Sequence, residues 1–187
     1  MNRLLLICTL CVGFVGLCAC GSKQPDPART VEVPAKAPRA DLLKMPEELN
    51  KPTEIVSQAS IDIVNEVLAK PADSQQHVFH AKSGAPLWFR GWAYDASNQK
   101  VPDRVYIELT GQTSGLKIYI PATRMKREDV ATGFNVPWAV MSGFTTADLV
   151  DHNIPPGTYG VKIYQIDNQT AMQTAYYGTA AVTLVMQ

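Results

Sequence analysis

Residues 104–120, Arg-Val-Tyr-Ile-Glu-Leu-Thr-Gly-Gln-Thr-Ser-Gly-Leu-Lys-Ile-Tyr-Ile, decide the fold of this chain. Apolar side chains alternate with polar or amphipathic ones on both sides of the Gly-Gln-Thr-Ser-Gly segment at 111–115, which favours chain reversal. Alternation with a period of two is typical of a strand with one face on a core. One face would carry Val105, Ile107, Leu109, Leu116, Ile118 and Ile120, and the other Tyr106, Glu108, Lys117 and Tyr119. The stretch therefore predicts an antiparallel hairpin with one buried face.

Short runs of β-branched and aromatic residues continue on both sides of this hairpin, separated by turn residues. The predicted strands are 59–68, 76–80, 87–94, 104–110, 116–120, 143–149, 158–166 and 172–185, the last with a break near Gly178. One short helix is expected at 127–134. About seven or eight strands of this kind predict an all-β fold, an antiparallel sandwich.

The N-terminus predicts export and lipidation. Arg3 precedes an apolar run that ends in Leu17-Cys18-Ala19-Cys20, too short for a typical spanning helix. Leu17, Ala19 and Cys20 resemble a bacterial lipobox, which implies a signal peptide at 1–19 and a lipid on Cys20. Cys18 is the rival acceptor, and a plain membrane anchor or a cleaved secretory signal remains open.

The residue after the predicted lipidated cysteine and the cysteine count extend this interpretation. Gly21, rather than Asp, resembles the proteobacterial signal for the outer membrane. All four cysteines lie within residues 8–20, so the predicted exported domain has no disulfide and depends on its core. Loss of residues 1–19 would leave 16 Lys plus Arg against 17 Asp plus Glu, without the basic footprint of a nucleic-acid binder.

Residues 20–54 follow as a predicted disordered, Pro-rich tether, and residues 55–187 as the globular domain. Pro-rich chain is semi-extended at about 3.1 Å per residue, so the tether could hold the domain up to roughly 90 Å from a bilayer.

The stretch Phe89-Arg90-Gly91-Trp92-Ala93-Tyr94-Asp95 resembles part of an Ig-like β-sandwich domain found in bacterial multi-span membrane proteins of the glycosyltransferase and surface-polysaccharide type. Further segments that carry the resemblance are 61–65, 105–109, 127–131, 142–144 and 156–159, so that it covers about 60–185. It implies an Ig-like fold and an accessory role in the envelope, and it carries no activity with it.

The candidate ligand-binding residues begin with Arg90, Trp92 and Tyr94, which share the face of their strand opposite Leu87, Phe89, Gly91 and Ala93. If Tyr106 and Tyr164 line the same outer surface, the set forms an aromatic platform suited to a sugar or a peptide. The alternative is that Trp92 fills the sandwich and the other rings pack under loops or under the tether.

Other candidate chemistry is weaker. His77, His80 and His152 have no convergent partners in sequence, so we expect no metal and no cofactor. Ser142 lacks the base that a hydrolase needs, so we expect no enzyme. The cluster Arg124, Lys126, Arg127, Glu128 and Asp129 could contact an anionic envelope polymer or form a solvated face.

The sequence thus predicts a non-enzymatic lipoprotein, anchored in the cell outer membrane through its lipid, that docks an envelope protein partner. A glycan-binding accessory module is the alternative, a small envelope hydrolase is the second alternative, and no nucleic acid is expected as a partner.

Overall fold

The computed structural model describes residues 36–49, 53–54, 57–69, 77–167 and 174–187. The predicted signal peptide, Cys20 and the first part of the predicted tether lie outside these ranges. The strands are β1 Thr53–Glu54, β2 Ser57–Val64, β3 Val67–Leu68, β4 His77–Ala81, β5 Phe89–Asp95, β6 Arg104–Gly111, β7 Lys117–Met125, β8 Gly143–Thr146, β9 Gly157–Asp167 and β10 Thr174–Met186. The helices are α1 Ala40–Leu43 and α2 Glu128–Gly133, with single 3₁₀ turns at Glu47–Leu49 and Pro137–Ala139.

The hydrogen-bonded strand order is β1-β10-β9-β6-β7-β8-β5-β2-β3, and β4 also pairs with β10. Most pairs are antiparallel as expected, but β1 and β4 run parallel to β10, which makes the sheet mixed. β7 joins two halves, since its first residues pair with β6 and its last, from Ala122 to Met125, pair with β8. β2, β5 and β8 form one group of strands and β6, β9 and β10 form the other, as expected for a sandwich-like fold. The predicted all-β, sandwich-like fold with a short helix is confirmed.

One core joins the inward faces of both halves. Its fully buried side chains include Ile61, Phe89, Ile107, Phe144 and Ile163. The alternation of the 104–120 hairpin is confirmed on this side, because its inward side chains are at most 1% exposed, except Leu116, which packs against the core partly buried. Burial of a large aliphatic or aromatic side chain contributes about 1.5–3 kcal/mol, so this layer is the main stabilising element.

The opposite face of β6, β7 and β9 is drier than alternation predicts, because residues 39–49 cover it. Leu49, 3% exposed, packs with Tyr119, Tyr164 and Ile166. Glu48 Oε1 accepts a 2.7 Å hydrogen bond from Arg104, which attaches the 3₁₀ turn to β6. This part of the predicted tether therefore contacts the sandwich.

Three predicted strands differ clearly in extent. The strand expected at 116–120 continues to Met125 as β7. The single strand expected at 59–68 is a hairpin, since Asn65 and Glu66 adopt positive φ values of 48° and 68° between β2 and β3. The Asn65 side chain accepts a hydrogen bond from the Trp88 backbone and donates one to the Pro86 carbonyl, which holds the turn.

β8 ends at Thr146 instead of continuing to Leu149, which forms one bridge with Leu87. In β10 the register shifts between Thr179 and Thr183, close to the predicted break.

Candidate functional site

The outer face of β5 holds three of the predicted ligand-binding residues. Phe89 and Ala93 on the inner face are fully buried in the core, so period-two alternation turns Arg90, Trp92 and Tyr94 outward. The expected facing of this strand is confirmed.

Trp92 and Tyr94 on this face form an aromatic cluster with Phe134 and Trp138, which belong to the segment at the end of α2 and after it. The Trp92 ring stacks on Tyr94 at 5.5 Å between centroids and lies 5.0 Å from Phe134. Trp138 meets Tyr94 edge-on at 5.3 Å. Tyr94 is only 2% exposed and donates a 2.6 Å hydrogen bond to Gln58, whereas Phe134 is 51% exposed. Burial raises the pKa of the Tyr94 hydroxyl.

Trp92 therefore neither fills the interior of the sandwich nor stands open as a platform. It is half-buried between β5 and the loop, and the ring that solvent reaches most is Phe134. Sequence reasoning missed Phe134 and Trp138, although two aromatics within five residues after a short helix were an available signal.

A groove of about 380 Å³ adjoins the cluster and is lined by Asp62, Ile63, Leu68, Arg90, Lys126, Arg127 and Asp129. Arg127 crosses it, donating 2.7 Å hydrogen bonds to Asp62 and, through two nitrogens, to Asp129. This pairing lowers the pKa of Asp129 to about 2. The stem of Arg127 lies directly over Gly143, where any Cβ would collide with its Cγ. Arg127 is thus held in place by two carboxylates.

Arg90 differs from Arg127 in having no partner among the residues that the structure describes. Its Nε is buried, and no described residue gives the side chain a hydrogen bond or an ion pair. An arginine so placed retains donor capacity for another molecule.

The two other predicted binding residues, Tyr106 and Tyr164, lie on the other half of the sandwich. Tyr164 is buried and donates a 3.2 Å hydrogen bond to Glu108, and Tyr106 packs with it. Tyr119 beside them has its pKa raised to about 12 by burial and by Glu108. The five predicted residues therefore form two separate groups, Arg90, Trp92 and Tyr94 on one outer face and Tyr106 and Tyr164 on the other.

A second groove, of about 410 Å³, lies over the Tyr106 group. Its lining includes Met45, Glu47, Tyr106, Tyr119 and Pro121. Tyr106 is half-buried here, so the groove presents a partly aromatic floor with a carboxylate at its rim.

Arg124, which sequence analysis grouped with the exposed basic residues, points inward. Its guanidinium donates to the backbone carbonyls of Pro102, Ala93 and Ser142 and to the Gln165 side chain, at 2.8–3.0 Å. Burial lowers its pKa to about 10. Arg124 therefore connects the four chain segments that supply these acceptors, and it is not part of a basic surface patch.

The remaining candidates have structural surroundings. Ser142 is fully buried, and its Oγ has no hydrogen-bond partner among the described residues. His152 is buried, with Nε2 2.8 Å from the Ala85 carbonyl and Nδ1 accepting from the Ile154 amide. Within the described ranges no three His, Cys, Asp or Glu side chains converge as metal ligands, and no helix has the length and apolar character needed to cross a bilayer.

No protein-family model matches the chain, and no curated protein sequence matches it.

Proposed function

We propose that this protein is a lipid-anchored lipoprotein of the cell outer membrane whose β-sandwich docks a protein partner without catalysing a reaction. The proposal for the anchor rests on Leu17, Ala19 and Cys20, which match a lipobox. Lipid attachment with two or more chains gives stable membrane anchoring, so a soluble sandwich would be held at the bilayer surface.

The aromatic cluster on β5 carries the docking proposal. Phe134 leaves half of its surface in water while its ring contacts Trp92, and the cluster beneath it is held by Tyr94 and Trp138. Rigid aromatic groups with adjacent arginine are enriched at protein interfaces, because they bury a large area at little cost in side-chain entropy. Arg90 and Trp92 lie on the same face of the same strand.

The alternatives have less support. A glycan platform needs several open rings on one surface, but Tyr94 is buried and Tyr106 and Tyr164 are on the other half. A hydrolase needs an accessible nucleophile beside a base, and Ser142 is enclosed.

Site-specific photo-crosslinking in intact cells tests the docking proposal. A photoreactive phenylalanine analogue replaces Phe134 in one variant and Val78, which is 53% exposed on β4, in a matched control. We expect a reproducible protein adduct from position 134 that position 78 does not form. No adduct at position 134, or the same adducts from both positions, would overturn the proposal.

Palmitate labelling tests the anchor separately. Cys20→Ala should abolish incorporation of label, and Cys18→Ala should leave it unchanged. Continued labelling of the Cys20 variant would place the lipid elsewhere.

A further inference from the structure

We infer that the partner presents an acidic side chain next to an apolar one, and that its carboxylate binds Arg90 in the groove between the β2–β3 hairpin and the start of α2. This inference rests on the proposed function, since it names the chemistry that the docked protein offers to the β5 face.

Arg90 is the group in the groove that lacks a counter-ion among the described residues. Arg127 is paired with both Asp62 and Asp129, and Lys126 lies 2.5 Å from Glu128. Arg90 has neither an ion pair nor a hydrogen bond there, and its Nε is shielded from water. A buried N–H donor without an acceptor is destabilising, and a ligand oxygen that accepts its hydrogen bond removes this cost.

The strand pairing presents Arg90 rigidly. β5 lies between β2 and β8, where Arg90 is opposite Ile63 on one side and Thr145 on the other. A side chain on a central strand is placed more precisely than one on a loop.

The charge of the walls selects a carboxylate. The groove lining carries three cations, Arg90, Lys126 and Arg127, against two carboxylates, Asp62 and Asp129. Its net charge of +1 is matched by a group with a single negative charge and exceeded by a doubly charged phosphate. A singly charged carboxylate accepts two parallel hydrogen bonds from one guanidinium, which is the geometry that arginine favours.

The β2–β3 hairpin contributes apolar side chains to the groove, and these favour a partner that has an apolar residue next to its carboxylate. Leu68, Ile63 and Arg90 form one row across β3, β2 and β5. Leu68 is 68% exposed, the most exposed large apolar side chain of the described residues. A segment with Asp or Glu beside a leucine or valine would pair the carboxylate with Arg90 and cover Leu68.

Selection from a phage-displayed library of random dodecapeptides on the detergent-solubilised full chain tests this inference. We expect the selected peptides to contain Asp or Glu next to an aliphatic residue. Exchange of that acid for its amide should weaken binding at least about tenfold, since charge-assisted bonds to arginine are strong. Arg90→Gln should remove the difference between acid and amide, Arg90→Lys should keep part of it, and Lys82→Gln, which removes an exposed charge elsewhere, should keep all of it.

Selected peptides without acids, no selection at all, or an acid preference that survives in Arg90→Gln would overturn the inference. Crosslinking at position 134 separates this failure from that of the proposed function. If the adduct persists in an Arg90→Gln background, the protein is an adaptor that does not use Arg90. If the adduct is absent in the wild-type background, the docking role itself fails.

Discussion

Gly91 on β5 provides the sharpest test of the strand register that shapes the candidate site. A Cβ added to Gly91 would fall well inside contact distance of the Ser60 carbonyl oxygen. It would also lie 2.8 Å from Cζ of Phe144 and 3.1 Å from Cα of Ile61. Two of these three atoms are backbone, so rotation of a side chain cannot relieve the clash. The close approach coincides with the irregularity of β2 between Ile61 and Ile63, which is where a strand glycine permits neighbouring backbone to come near.

Gly91→Ala should therefore destabilise the protein strongly. Overpacking of a core costs about 1–3 kcal/mol of stability. Because the β2 backbone would have to move, we expect Gly91→Ala to cost about 3 kcal/mol. For a domain of this size the melting temperature falls by about 2–4 °C per kcal/mol, which predicts a loss of roughly 10 °C. Thermal unfolding followed by far-ultraviolet circular dichroism measures it.

Gly160→Ala is the matched control, because Gly160 is also a strand glycine but its Cβ would lie 4.0 Å from the nearest atom, the Thr110 carbonyl oxygen. We expect no loss of stability, or a gain of about 0.4–1 kcal/mol from the reduced freedom of the unfolded chain. If the two variants melt within about 2 °C of each other, the close approach of β2 at Gly91 is wrong. The register that places Arg90 beside Ile63 would then be wrong with it.

Three further predictions concern contacts away from Gly91. Leu49→Ala should lower the free energy of unfolding, measured in urea, by about 2–4 kcal/mol, because Leu49 is buried against β7 and β9. Glu47→Ala, at an exposed position, should lower it little, and equal effects would contradict the docking of residues 39–49. Asp129, with its pKa lowered to about 2, should stabilise the fold fully above about pH 4 and progressively less as the pH falls toward 2. Arg127→Gln should return the carbon-13 titration midpoint of the Asp129 carboxyl toward 4, and an unchanged midpoint would exclude the pairing. Arg124→Gln should lower stability by about 2–3 kcal/mol by orphaning buried carbonyls, and an unchanged unfolding midpoint would contradict its inward placement.

The sequence predicted those parts of the fold that depend on local pattern. The 104–120 hairpin, the inward face of β5 and the short helix follow from alternation and turn residues, since each involves side chains that are close along the chain. The outward faces were predicted less well. Tyr119 and Tyr164 alternate as solvent-facing residues should, yet they are buried, because residues far upstream cover them.

The candidate site shows the same division. Alternation correctly grouped Arg90, Trp92 and Tyr94, but it could not show that Tyr106 and Tyr164 belong to the other half of the sandwich. Arg124 was grouped with its basic neighbours along the chain.

By itself, the sequence determined an all-β chain, the facing of its strands and the residues that predict a lipid anchor, because these properties are written in nearest-neighbour patterns and local motifs. Only the tertiary structure decided which surfaces stay open. In the folded chain, Phe134 contacts Trp92, and Arg124 donates hydrogen bonds to backbone carbonyls inside the protein. Arg90 has no counter-ion among the described residues. The physical reason is that burial and pairing depend on segments brought together by strand order, and strand order is not encoded in any single stretch of the chain.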